Sequence, residues 1–311
     1  MKTLKIGNIK LKNPLLLAPM VEVTDLPYRL ICRKAGCSMA YTEMIYVSAI
    51  THENNKTKKM METCKEDKPV GIQITGNNSE EFKEVVTSLK GYDVVDINCG
   101  CPSIRIAGNK AGSYLLEDPE KIARMIRILK NEGYTTTAKI RLGFGSNNVL
   151  KIAKTIEKAG ADALTVHARL ANQGYSVSAD WKQIAIVKNE LGITIIGNGD
   201  IFNGKDAEQI LDVADGAMIA RGALGDPLIF SRILKYLKTG KEPEKDLEKN
   251  LEYFKMYLKL CKKYDFNEVA RTKYVGVSFL KGIQGVGKLR NELMQCKRFD
   301  EIQEMIKRIK I

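Results

Sequence analysis

Between residues 15 and 219 the chain alternates short apolar runs with longer stretches of helical periodicity. The runs fall at residues 15–18, 40–44, 70–74, 94–97, 137–140, 163–166, 194–196 and 216–219. Each is a few residues long and almost wholly apolar, as a strand covered on both faces must be. Amphipathic segments lie between them at residues 79–90, 118–131, 148–159, 180–191 and 205–212. The first opens with Ser79 ahead of Glu80 and Glu81, which reads as a capped, dipole-matched helix start. Eight strand-then-helix units in one span predict an α/β fold, a closed (β/α)8 TIM barrel, in preference to an open doubly wound sheet. After Lys241-Glu242-Pro243 the strand-like runs stop. Leu251, Phe254, Leu258 and Cys261 then recur at helical spacing, and helices also fit residues 268–281 and 299–310. The pattern divides the chain into a barrel over residues 1–240 and a small C-terminal helical domain over residues 241–311.

A parallel barrel carries its chemistry on the loops that follow its strands. The first strand leads into Pro19, Met20 and Val21, and the third carries Gln73. The fourth runs into Asn98-Cys99-Gly100-Cys101-Pro102, which sets a thiol on a polar turn at the end of a buried strand. Lys139 and Arg141 alternate on the fifth strand and so share a face. His167 and Arg169 end the sixth, Asn198, Gly199 and Asp200 the seventh, and Arg221 and Gly222 the eighth. Gly199 and Gly222 stand where phosphate-binding barrels hold their anion, and Arg221 can add a charge-assisted bond. No carboxylate shares the strand of Lys139 and Arg141, so a bound anion or an electron-rich ring is expected there. A reduced flavin fits, with Gln73 and Asn198 for its neutral hydrogen bonds.

Charge and cysteine content change the picture in two ways. The net charge is +13, which a polyanionic partner rewards and a small substrate does not need. Residues 241–311 hold 17 Lys and Arg against 11 Asp and Glu, so the tail carries nearly half of the excess. Seven cysteines with no CxxC pair fit a reducing cytoplasm, and the scattered His52 and His167 give no zinc site, so no metal is expected. Cys32, Cys37, Cys64 and Cys261 read as packing; Cys101 alone reads as chemistry. No apolar run reaches membrane-spanning length.

The stretches LLLAPMVEVTDLPYR, VGIQITG, VDINCGCPSIRIAGNKAGSYLL, AKIRLG, VHAR, IIGNGDI and MIARGALGDP resemble the tRNA-dihydrouridine synthases, in the family's own order, over roughly residues 15–230. That resemblance implies an FMN-binding barrel, followed by a helical domain, that reduces the C5–C6 double bond of a uridine in tRNA to 5,6-dihydrouridine. NADPH would recharge the flavin, although no sequence signature separates it from NADH. By motif position Cys101 matches the family's proton donor. Pro19, Met20, Val21, Gln73, Lys139, His167, Asn198, Gly199, Asp200, Ala220, Arg221 and Gly222 match its flavin-contacting stretches. The chain departs from the family at His167-Ala168-Arg169-Leu170, where a glycine and a threonine are common, but Gln173 and Tyr175 recur in the loop that follows.

Uracil C6 is electrophilic through conjugation to the C4 carbonyl, and C5 becomes basic once C6 has taken a hydride. A thiol, with an ordinary pKa near ~8.5, is mostly protonated at neutral pH and can protonate C5. Substrate contacts are expected from Asn98, Arg141 and Arg169 at the ring, and from Arg271 and Lys273 in the tail, with Lys281, Lys288 and Arg290 as further phosphate contacts. The rival readings are an FMN barrel that oxidises or reduces a free pyrimidine, of the dihydroorotate type, and a non-catalytic RNA-binding protein. A cytoplasmic monomer is expected.

Overall fold

The computed structural model describes residues 3–52 and 54–309. Two short strands, β1 (Lys5–Ile6) and β2 (Ile9–Lys10), form an antiparallel hairpin that the apolar pattern does not announce. All eight apolar runs become strands: β3 (Leu15–Leu17), β4 (Met39–Tyr46), β5 (Val70–Thr75), β6 (Val94–Cys99), β7 (Thr136–Arg141), β8 (Ala163–His167), β9 (Thr194–Asn198) and β10 (Gly216–Ile219). They close a parallel barrel in sequence order, with β10 returning to β3.

Because successive strand residues point to opposite faces, the barrel sorts its side chains into two cores. Outward residues such as Val95, Ile97, Ala138, Ile140 and Val166 pack under the helices. Inward residues at the strand starts, Leu16, Met39, Val94, Ala163 and Ile196, form a separate cluster with Leu4, Ile6 and Leu11 of the hairpin segment. The hairpin thus plugs the bottom of the barrel. Moving up the same inward rows, Val94 gives way to Asp96 and Asn98, Thr137 to Lys139 and Arg141, and Ala163 to Thr165 and His167. The interior is apolar below and polar towards the carboxyl ends.

The expected helices form with local corrections. Ser79–Val85 is α-helical and continues as a tighter turn, Val86–Leu89; its cap is Asn78, whose Oδ1 accepts from Glu80 N at 3.0 Å, and not Ser79. Pro119–Asn131 starts as expected, with Asp118 accepting from Lys121 N at 3.1 Å. The last barrel helix, Ile229–Thr239, stops at Gly240 in the left-handed conformation. The helical C-terminal region contains Leu247–Lys263, Val269–Phe279, Val286–Gln295 and Phe299–Arg308. The third of these is absent from the sequence reading, and Lys310, the expected end of the last, lies outside the described residues.

This region is seated on the barrel by aromatic packing and buried polar bonds. Phe254 and Phe279 stack at 4.7 Å between centroids, Tyr28 meets both Tyr257 and Phe279 edge-on, and Tyr257 Oη donates to Asp25 Oδ2 at 2.9 Å. Arg271 belongs to this seam, which corrects its expected role as a phosphate contact. It is 4% exposed and pairs with Glu43, itself 2% exposed, while Asp25 Oδ2 lies 3.7 Å from its Nη1. Lys273 is half-buried and donates to Met294 O at 2.8 Å, so it too is partly committed within the chain.

Arg271→Ala would leave Glu43 and Asp25 as buried acids without their cation. The expected cost is about 3–5 kcal/mol of unfolding free energy in urea titrations, with Arg271→Lys losing less. Unchanged stability in the alanine variant would mean that the seam does not depend on this pair.

Candidate active site

A cavity of about 410 Å³ opens at the carboxyl ends of the strands. Every residue expected to contact the cofactor lines it except Gln73, and Cys101, Asn98 and Arg141 line it as well. Register explains why they converge: Asn98 pairs with Lys139 across β6 and β7, Arg141 with His167, and His167 with Asn198. These inward positions stand at neighbouring levels of one ring.

Gln73 is 1% exposed and does not line the cavity. Its Nε2 donates to Asp96 Oδ2 at 2.7 Å and its Oε1 accepts from Asn98 Nδ2 at 2.8 Å. Asn98 in turn shapes the thiol turn, since its Oδ1 accepts from Gly100 N at 3.2 Å and from Cys101 N at 3.0 Å. The Cys101 carbonyl is held from the other side by Ser113 N at 3.0 Å.

Arg141 lines the cavity but spends its donors on loop carbonyls: Gly100 at 3.0 Å, Leu170 at 2.7 Å and Gln173 at 3.2 Å. It ties the thiol turn to the loop after β8. Arg169 is a second correction. It is 1% exposed, is not part of the cavity wall, and bonds Asp200 Oδ2 at 2.5 Å and Val177 O at 2.5 Å. The loop that follows it folds over the guanidinium, so no substrate atom can reach it in this geometry.

Asp200 accepts from both Arg169 and Arg221, the latter at 2.8 Å. Burial pushes its carboxyl up, but the bonds from Arg169 and Ala179 and the two arginine charges outweigh that and hold it below the usual carboxylate range. The two glycines are explained by packing. A side chain at Gly199 (φ +116°) would crowd His167 and Ala179, and one at Gly222 would sit 2.3 Å from the Ile201 carbonyl oxygen. Their type therefore does not by itself argue for a phosphate; the half-exposed Arg221 on the cavity wall does.

His167 is held neutral. Burial, followed by the charges of Lys139, Arg141, Arg169 and Arg221, lowers its pKa to about 2. Its Nε2 faces an Arg169 guanidinium nitrogen at 3.2 Å; arginine can only donate, so Nε2 accepts and the ring proton resides on Nδ1. Lys139 is lowered to about 8 by burial and by Arg141, with Asp96 opposing. It makes no hydrogen bond or ion pair among the described residues. The cavity therefore offers an unpaired ammonium, a neutral imidazole N–H and a half-exposed guanidinium, a donor set that fits an anionic, electron-rich ring carrying a phosphate.

Three aromatic residues of the wall escaped the sequence reading as site residues: Tyr175 as a cavity group, Phe202 and Tyr274. They are 58%, 47% and 55% exposed, and Arg221 lies 3.8 Å over the Tyr175 ring. Tyr274 comes from the helix Val269–Phe279, so the helical region forms part of the mouth. No periodicity could have found it, because an aromatic residue on a helix is by default read as core.

A thiol and a lysine brought together at the mouth of a closed parallel barrel define a barrel enzyme. The dihydrouridine synthase (Dus) family model matches residues 16–310. A "Probable tRNA-dihydrouridine synthase" of Aquifex aeolicus is 32% identical over 309 residues, covering 96% of this chain and 95% of that protein. The tRNA-dihydrouridine synthase B of Pasteurella multocida is 34% identical over 241 residues, covering 75% of this chain and 72% of its own. Among solved structures, a variant of NCR from Zymomonas mobilis shares the fold, with a TM-score of 0.55 at 13% identity, over 80% of this chain and 94% of that one. The chain belongs to the dihydrouridine synthase family.

The state of His167 predicts a pH dependence. Unfolded, it takes a proton near 6.5; folded, it refuses one until about 2, so acidification through that window favours the unfolded state. Asp25 and Asp96, held up at about 6 chiefly by burial, act in the opposite sense between there and 3.8, but they are common to both proteins in a comparison. The urea midpoint of the wild type is expected to fall more steeply on acidification than that of His167→Gln. Parallel slopes would show that the folded chain protonates His167 freely.

Proposed function

We propose that this chain reduces the C5–C6 double bond of uridine in tRNA, with FMN held in the barrel cavity and NADPH as the external reductant. The observation that carries the reading is Cys101. Among the described residues it is the one cysteine on the cavity wall, and its backbone is fixed by Asn98 and Ser113. FMN, when bound and reduced, supplies the hydride that C6 takes.

The chain's own residues do the rest. Cys101 gives its proton to C5. Lys139 and the Nδ1–H of His167 hold the electron-rich edge of the ring, and Arg221 meets the phosphate. The imidazole serves as a neutral donor throughout the physiological range, since its pKa lies at about 2. Residues 241–311 act as the tRNA-binding domain. Tyr274 at the mouth and the exposed Lys281 and Lys288 favour a macromolecular substrate over a free pyrimidine. Withdrawing the base from folded RNA costs a few kcal/mol, which phosphate contacts help to offset.

The test is an anaerobic one. The flavin is reduced with NADPH, unmodified tRNA is added, and reoxidation is followed by absorbance. Rapid reoxidation by tRNA, with none by free uridine or orotate, is expected; reoxidation by orotate alone would transfer the reading to a free-pyrimidine enzyme. Cys101→Ala should still bind FMN and accept electrons yet form no dihydrouridine. The affinity of the apoprotein for FMN should fall as pH rises through about 8, where Lys139 loses its charge, and Lys139→Met should flatten that profile. A wild-type profile without this limb would remove Lys139 from the anion contact.

A further inference from the structure

We propose that Asp96 is a positioning residue that fixes the Cys101 turn through a one-way chain of amide hydrogen bonds; the proposal rests on the reading of Cys101 as the proton donor. Asp96 is 1% exposed, faces the barrel interior two residues below Asn98, and makes no salt bridge among the described residues. Its Oδ1 accepts from Thr137 Oγ1 at 2.6 Å and its Oδ2 from Gln73 Nε2 at 2.7 Å. Gln73 Oε1 accepts from Asn98 Nδ2 at 2.8 Å, and Asn98 Oδ1 accepts from Cys101 N at 3.0 Å.

The order of donors along this chain is not free. The N–H groups of Gly100 and Cys101 can only donate, so Asn98 must turn its oxygen to them and its nitrogen to Gln73. Gln73 must then offer oxygen to Asn98 and nitrogen to whatever lies beyond. Only an acceptor can end such a chain, and a carboxylate is an acceptor on both oxygens. With an apolar group at position 96, Gln73 Nε2 is left buried without its acceptor, and the bond from Asn98 Nδ2 alone resists rotation of the Gln73 amide. A reversed Gln73 would meet Asn98 with its nitrogen, and a reversed Asn98 would meet the turn's N–H groups with its own. The turn that carries the thiol would lose the acceptor that shapes it. A buried acid inside a barrel is otherwise costly: burial raises its carboxyl, and even with Gln73, Thr137 and Lys139 opposing it stands at about 6.

Three variants separate this from simple damage: Asp96→Val, Asp96→Asn and Cys101→Ala, each assayed as the holoprotein for flavin content, NADPH-dependent reduction and tRNA-dependent reoxidation. Asn at position 96 can accept from Gln73 with its oxygen and donate to Thr137 with its nitrogen, so it preserves the order. Asp96→Val is expected to slow reoxidation by about 10²-fold, the effect of a misplaced reacting group, while flavin content and reduction stay close to wild type. Asp96→Asn is expected to restore reoxidation. Should the valine variant not accumulate, Asp96→Ser serves in its place, because its hydroxyl ends one atom short of Gln73. Normal reoxidation in the valine or serine variant overturns the proposal, as does an equal loss in both half-reactions or an asparagine variant as slow as the valine one. Cys101→Ala distinguishes the two failures: activity there sinks the proton-donor reading itself, whereas an inactive Cys101→Ala beside a fully active Asp96→Val sinks only the chain of bonds.

Discussion

Closure of a parallel sheet on itself is the constraint from which the rest follows. It removes sheet edges and obliges every second residue of eight strands to point into a space of fixed width. That space must be filled, and the chain fills it in two chemistries. Leu16, Met39, Val94 and Ile196 pack below with the hairpin segment, and amides, hydroxyls and charges stand above. Polar groups inside a barrel are costly unless they bond one another; Gln73, Asp96, Asn98 and Thr137 do so in one connected set, whereas Thr165 Oγ1 and Tyr41 Oη find no hydrogen-bond partner among the described residues. The cavity is where that set ends.

The electrostatics of that cavity result from the same crowding. Lys139, Arg141, Arg169 and Arg221 together hold His167 neutral, while Asp200 is shared by two of the arginines. Two of these cations, Arg141 and Arg169, are consumed by the chain's own carbonyls and carboxylate. Lys139 makes no hydrogen bond or ion pair among the described residues, although the Asp96 charge acts on it, and Arg221 remains partly open. The distinction between structural and available charge is therefore made by loop geometry, since all four side chains occupy comparable strand-end positions.

The strands were legible because two-sided burial demands a run of apolar residues, and each run lies within one residue of its strand's ends or well inside them. The hairpin was not, because two-residue strands carry no periodicity. The helix Val286–Gln295 was missed because it buries only Leu293. Positions at the strand ends were also legible, since register alone gathers them. What failed was reading a charge as exposure. Arg271 meets Glu43 across a separation of 228 residues, and Arg169 meets Asp200 across 31. No local pattern signals a partner so distant, and an arginine whose acid is out of view looks like surface. The alternation Val94, Asp96, Asn98 did hold a local signal: a polar residue at every second position of a strand otherwise buried on both faces points into the barrel, not outward to the helices.

The seam between barrel and helical region bears on the same site. Glu43 accepts from the backbone of Glu22 at 2.7 Å with one oxygen and from Arg271 with the other. Glu22 has positive φ (63°), a conformation that a non-glycine residue adopts only where surrounding contacts impose it. It follows Met20 and Val21 directly, and both of those line the cavity. One buried carboxylate thus holds the cavity's first loop and the helix that carries Tyr274 in a fixed relation. The mouth is consequently a joint product of the two regions: displacing the helix Val269–Phe279 would release Glu43, and with it the loop whose Met20 and Val21 line the same cavity.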